Sequence, residues 1–255
     1  MTPRSLRRHI LLPFQRLTLA KRSKPRNFSH ILEFFQMGYT FDMPDQAREQ
    51  IGIFGGTFDP PHLGHLILAS EARFQLGLDR LLWVLTPDPP HKQDQTITPV
   101  EHRLAMVNLA IEDNPSFELS RVELDRPGPH YTLDTVEIIA DQYPDADITP
   151  IIGSDSLREL PTWHQPKKIL YACHWVGVMR RPGESANLEA LERELPGISS
   201  KVHYVDAPLL EIASREIRER VATGKPVRYY LPQAVYSYIN EHHLYEHSEV
   251  LNPKS

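Results

Sequence analysis

The sequence predicts an α/β protein built on a doubly wound parallel sheet, with helices closing its C-terminal part. Three observations predict it. From residue 50 onward, short β-type runs alternate with helical patterns, the order that builds a parallel sheet covered on both faces. The run Leu81-Leu82-Trp83-Val84-Leu85 is almost continuously apolar, as a strand buried on both faces must be. The chemically rich segments 55–65, 87–92, 153–155 and 180–183 each follow a strand, at the carboxyl edge where such sheets bind ligands.

The elements follow in order. Ile51-Gly52-Ile53-Phe54 is the first strand; Gly55-Gly56 turns the chain, and a helical pattern starts at once. Residues 80–86 form the second strand. Thr98-Pro99-Val100-Glu101 reads as a capping box with Pro at the first helical position, opening a helix that carries Leu104, Met106, Val107 and Ala110. Residues 117–124 alternate as a strand. Thr132 caps a helix that runs through Val136, Ile138 and Ile139 and ends before Pro144. An apolar strand at 148–152 ends at Gly153-Ser154-Asp155, and another at 174–179 stops at Arg180-Arg181-Pro182-Gly183. After a weaker strand at 202–205, residues 214–221 and 232–240 read as closing helices.

Composition narrows the class. A chain of 255 residues with 40% hydrophobic and 24% charged residues suits one catalytic domain. A net charge of −5 gives no reason to expect nucleic acid as a partner. No stretch reaches the ~20 apolar residues that cross a bilayer, so no membrane partner is expected. The one cysteine, Cys173, excludes an internal disulfide and a cysteine-cluster metal site; it reads as a buried small hydrophobe in a reducing, cytoplasmic setting. Residues 1–48 stand apart: eight Lys/Arg precede the first acidic residue, Glu33. Such arms resemble transit peptides. The favoured expectation is a disordered extension or a start misassigned upstream of Met43. Residues 49–246 then form the catalytic domain and 247–255 a flexible tail. The sequence leaves a homo-oligomer open.

The run Gly55-Gly56-Thr57-Phe58-Asp59-Pro60-Pro61-His62-Leu63-Gly64-His65 carries the most chemistry. Strand, glycine turn and helix start place backbone N–H groups and a positive helix end together, a ready site for phosphate. His62 and His65, three apart, open the helix on one face and can reach one anion. A zinc reading is weak, because helical zinc pairs are spaced i, i+4 and no third ligand is near. A dinucleotide fingerprint lacks its third glycine, and a P-loop lacks Gly-Lys-Ser/Thr.

This run resembles the HxGH signature of the nucleotidyltransferase superfamily, and Ile212-Ala213-Ser214-Arg215-Glu216-Ile217-Arg218 resembles its second signature, I-S-S-T-x-I-R. Pro89-Pro90-His91-Lys92, Tyr131-Thr132, 153–157, Pro161-Thr162-Trp163 and Arg180-Arg181-Pro182-Gly183 fall between them in the order seen in bacterial nicotinate-nucleotide adenylyltransferases. The resemblance spans roughly residues 50–245. It implies a Rossmann-like nucleotidyltransferase fold and transfer of AMP from ATP, with Mg²⁺, to nicotinate mononucleotide. It implies catalytic roles for His62, His65 and Arg218, as donors to phosphate oxygens. It implies ATP contacts from Gly55, Gly56, Thr57, Phe58, Gly64, Gly153, Asp155, Ser214 and Ile217. Acceptor contacts fall to Lys92, Tyr131, Thr132, Trp163 and Arg181, with Trp163 stacking on the pyridine ring. Asp155 suits a nucleotide hydroxyl or a water on Mg²⁺. Ala213 and Arg215 depart from the pattern, so side-chain contacts there are in doubt. His102, His130, His164, His174, His203, His242 and His243 show no site-like spacing and read as structural or surface residues.

Overall fold

Six strands make one all-parallel sheet, in the order β3-β2-β1-β4-β5-β6. They are β1 (Glu49–Gly56), β2 (Arg80–Leu85), β3 (Phe117–Ser120), β4 (Ala146–Gly153), β5 (Val176–Met179) and β6 (Val202–Val205). The computed structural model describes residues 48–87, 97–180, 186–208 and 210–246. The segments holding residues 1–47, Lys92, Arg181 and 247–255, which carry the expected extension, two acceptor contacts and the tail, lie outside the described residues.

Strand alternation sorts the core onto two faces. Ile51, Ile53, Leu82 and Val84 point to one side and Phe54, Leu81, Trp83 and Leu85 to the other, all buried. On the second side lie α1 (Leu63–Gln75), through Ala69 and Ala72, and α2 (Val100–Ile111), through Val107 and Ile111. The first side is covered by α3 (Thr132–Gln142), α4 (Ser154–Glu159), α5 (Pro166–Ala172), α6 (Leu188–Glu194) and α7 (Ile198–Lys201), through Leu133, Val136, Leu157, Ile169, Leu191 and Ile198. Each such side chain, fully buried, contributes roughly 1.5–3 kcal/mol. The closing helices α8 (Ser214–Ala222) and α9 (Gln233–Glu241) pack Ile217, Val235 and Ile239 around Met106. Cys173 is buried, as expected, and burial pushes its thiol up to about 11.

The strand order reverses between β1 and β4, which pair from Glu49↔Ala146 to Phe54↔Ile151. From there the chain winds outward through β2 and β3 on one side and through β5 and β6 on the other. The loops leaving β1 and β4 therefore part, and a crevice opens at their carboxyl ends.

Four expectations need correction. β3 stops at Ser120, because Arg121 takes two turn bonds, accepting from Leu124 N–H at 2.8 Å and Asp125 N–H at 2.9 Å. The capping box at Thr98 is absent: the cap of α2 is Pro99, without a side-chain bond, and the Thr98 carbonyl accepts from Arg103 instead. Thr132 is the first residue of α3, not its cap; Tyr131 holds that place, again with no side-chain bond. The short helices α4 to α7 were not expected from the sequence. They run four to seven residues, too short for periodicity to register.

Candidate active site

The turn after β1 delivers His62 to the start of α1, where a reciprocal cap fixes both histidines. His62 Nδ1 accepts from the His65 N–H at 3.4 Å, and His65 Nδ1 accepts from the His62 N–H at 3.2 Å. The rings stack at 3.7 Å between centroids. Histidines take the places usually filled by Ser/Thr and Glu in a capping box. An Nδ1 that accepts must be unprotonated, so each neutral ring carries its proton on Nε2. Burial lowers the pKa of His62 from 6.5 to about 4, so it is neutral at pH 7. The pair thus holds two Nε2–H donors in fixed orientation.

Neighbouring contacts hold this geometry in place. A Cβ on Gly64 would meet the His62 ring at 3.0 Å. Gly64 thus leaves room for the His62 ring, a packing reason beside the expected one of making room for the nucleotide. Phe58, at φ 48°, buries its ring between Phe54, Trp83 and His65. Its side chain therefore takes no part in the surface of the turn. A Cβ on Gly56 would strike that same ring at 2.9 Å, whereas Gly55 faces open space.

α8 is fastened to the turn by its own site residues. Arg218 Nη1 donates to the Asp59 carbonyl at 2.7 Å and lies 3.8 Å from Asp59 Oδ2; Ser214 Oγ donates to the Pro60 carbonyl at 2.9 Å. Ala213, standing where the family pattern has serine, leaves the helix start without a side-chain cap. Arg215 is exposed and pairs with Glu219 at 3.4 Å, the solvated role. Ile217 is wholly buried in the core and its N–H bonds to the Ala213 carbonyl, so this expected ATP contact is not at the site.

A cleft of about 600 Å³ opens on the other side of the same turn. Gly55, Gly56 and Thr57 line it, together with Tyr131, Thr132, Gly153 and Trp163. Those residues come from four separate segments, and the fold gathers them. Trp163 also packs partly against the core. Asp155 is not among the lining residues; its carboxylate folds back over Gly153, where a Cβ would collide with it.

The sequence reading missed four residues here. His164, exposed, stacks on Tyr131 at 4.2 Å, and both it and His130 line the cleft, a placement the structural-or-surface reading did not foresee. Glu123 is buried in the cleft wall. Its Oε1 accepts from Thr135 at 2.8 Å, and its Oε2 has no partner among the described residues. The fourth is Arg103, 2% exposed, which donates to the carbonyls of Thr57, Thr86, Pro87 and Thr98 and ties the loop after β1 to both ends of the connection between β2 and α2. A signal existed for it: Arg103 occupies the buried stripe of α2 with Met106 and Val107, where a charge can persist only if bonded.

Fold and site together define a nucleotidyltransferase. The Cytidylyltransferase-like family model matches residues 53–220. A probable nicotinate-nucleotide adenylyltransferase of Thermomicrobium roseum is 44% identical over 80% of this chain and 95% of its own. The nicotinate-nucleotide adenylyltransferase of Bacillus subtilis is 42% identical over 78% of this chain and 99% of its own. The chain belongs to the nicotinate-nucleotide adenylyltransferase family of cytidylyltransferase-like enzymes. In fold it matches the Plasmodium falciparum nicotinic acid mononucleotide adenylyltransferase complexed with NaAD, with a TM-score of 0.63 and 19% identity over 77% of this chain and 97% of that one.

Proposed function

We propose that the chain transfers AMP from ATP to nicotinate mononucleotide, giving deamido-NAD and pyrophosphate in NAD biosynthesis. One observation carries this reading. The Gly55–Thr57 turn lines an aromatic cleft and runs straight into the stacked histidine pair and Asp59, the residue Arg218 holds, so a triphosphate and a pyridine nucleotide can meet at it. An oxygen of the acceptor phosphate attacks the α-phosphorus in line, and the bond to the bridging oxygen of the β-phosphate breaks. No covalent enzyme intermediate forms. The protein supplies position and charge: Nε2–H donors from His62 and His65 and the Arg218 guanidinium face the oxygens where charge develops. The uncapped N–H groups at the start of α3 suit the nicotinate carboxylate. The Tyr131–His164 stack and Trp163 suit the ring.

Among the described residues no group of three or more His, Cys, Asp or Glu could hold a metal. The site therefore fits a Mg²⁺ carried on ATP phosphates better than one in a cage of its own. Such an ion supplies charge neutralisation to the triphosphate. Among the described residues no helix is long and apolar enough to cross a membrane, and we assign the enzyme to the cytoplasm.

Incubation of purified protein with ATP, Mg²⁺ and, in turn, nicotinate mononucleotide, nicotinamide mononucleotide, phosphopantetheine and FMN tests the reading. Deamido-NAD and pyrophosphate are expected with the first. Turnover of another acceptor in its place, or ATP binding without pyrophosphate release, would refute it.

A further inference from the structure

The chain beyond α9 returns to the opening run. Tyr245, held at φ 65°, donates its hydroxyl to Asp59 Oδ1 at 2.8 Å. Asp59 is 3% exposed, and its other oxygen, Oδ2, accepts from the Thr98 N–H at 3.2 Å. Arg218 Nη1 stands 3.8 Å from that oxygen while donating to the carbonyl of the same residue. One buried carboxylate is thus gripped from the C-terminal end, from the approach to α2 and from α8. A carboxylate so far from water depends on each of these partners, and losing one leaves charge uncompensated. The hydroxyl also meets the Thr98 side chain and lies 3.9 Å from Met106 Sδ, too weak an acceptor to compete with the carboxylate. Burial, and then the charge of Asp59, push the Tyr245 pKa well above its ordinary value, so the hydroxyl remains a donor at every physiological pH.

We propose that Tyr245 is a positioning residue for the transfer step: its hydroxyl orients the Asp59 carboxylate and, through Asp59, the guanidinium of Arg218. One nitrogen of Arg218 is engaged by the protein, and the rest of the group is presented to phosphate in one orientation. Tyr245 lies 25 residues past the end of the matched family region at residue 220. The inference rests on the reading of Arg218 as a phosphate clamp.

The experiment is a double-mutant cycle. Tyr245→Phe deletes one oxygen and is expected to lower kcat about tenfold, the cost of a hydrogen bond to a charged group. KM for nicotinate mononucleotide stays unchanged. In an Asp59→Asn background, and in an Arg218→Lys background, Tyr245→Phe is expected to cost less than twofold, because the path it acts through is already cut. Undiminished kcat in Tyr245→Phe, a loss confined to melting temperature, or an equal tenfold loss in both backgrounds would overturn the proposal. The same cycle read as affinity for a non-hydrolysable ATP analogue does not depend on the acceptor. Wild-type turnover tests the acceptor assignment separately.

Discussion

At the phosphate end the polar groups of the site are already engaged within the protein: His62 with His65, Arg218 with Asp59, Ser214 with Pro60. In the cleft some of them are not. Glu123 Oε2 and His130 Nδ1 are buried with no partner among the described residues, and Tyr131 is 41% exposed. The difference teaches a division of labour. On the proposed reading, the end assigned to the transferring phosphoryl group is preorganised, because donors that need no rearrangement in the transition state give the largest rate effect. The end that distinguishes one acceptor from another keeps some groups unsatisfied, so that the right ligand supplies the missing partners and a wrong one leaves them buried and unpaired.

Breaking the locked end should give the largest effects, beginning with stability. His62 has a folded pKa of about 4 against 6.5 unfolded, so between these values the unfolded chain binds more protons and stability falls as pH drops. The full loss is about 3 kcal/mol at pH 4, and none of it is felt above pH 6.5. His62→Asn, which keeps a good helix cap, should remove that component from denaturant midpoints measured between pH 7 and 4. An unchanged pH slope in the variant would mean His62 is not buried neutral. Next in size, His65→Ala and Arg218→Ala should each lower kcat about a hundredfold, the scale of losing one preorganised donor. Steady-state kinetics check this, and near-wild-type turnover in both would dismantle the phosphate clamp. At the open end the effect should be smaller and of another kind. Trp163→Ala is expected to raise KM for nicotinate mononucleotide about tenfold, the worth of a stacked aromatic contact, with KM for ATP unmoved. A kcat loss in its place would erase the contrast between the two ends.

Much of this site was legible before any coordinates. The glycine turn and the paired histidines mark a phosphate cradle through local spacing alone, and the apolar run of β2 marks a central strand. Other parts were hidden for identifiable reasons. Glu123 sits where alternation suggested a continuing strand, and only the turn at Arg121 swings it into the cleft wall. His130 and His164 have no spacing relation to each other or to His62, so nothing local singles them out. Arg103 was readable in principle, as a charge on an apolar stripe.

By itself the sequence determined the order of the strands and of the longer helices, the burial of the central strands and the place of the glycine turn. All of these follow from contacts within a few residues and from burial periodicity. Only the tertiary structure decided how the two histidines cap each other, which ring Gly64 leaves room for, and which distant groups gather around Asp59. Tyr245 lies 186 residues from Asp59 in the chain, yet its hydroxyl is 2.8 Å from that carboxylate. No local rule links such positions. They meet because burial of a separate apolar cluster, Met106 with Ile217, Val235 and Ile239, packs α8 and α9 onto α2, and a buried charge must find its donors wherever the fold brings them.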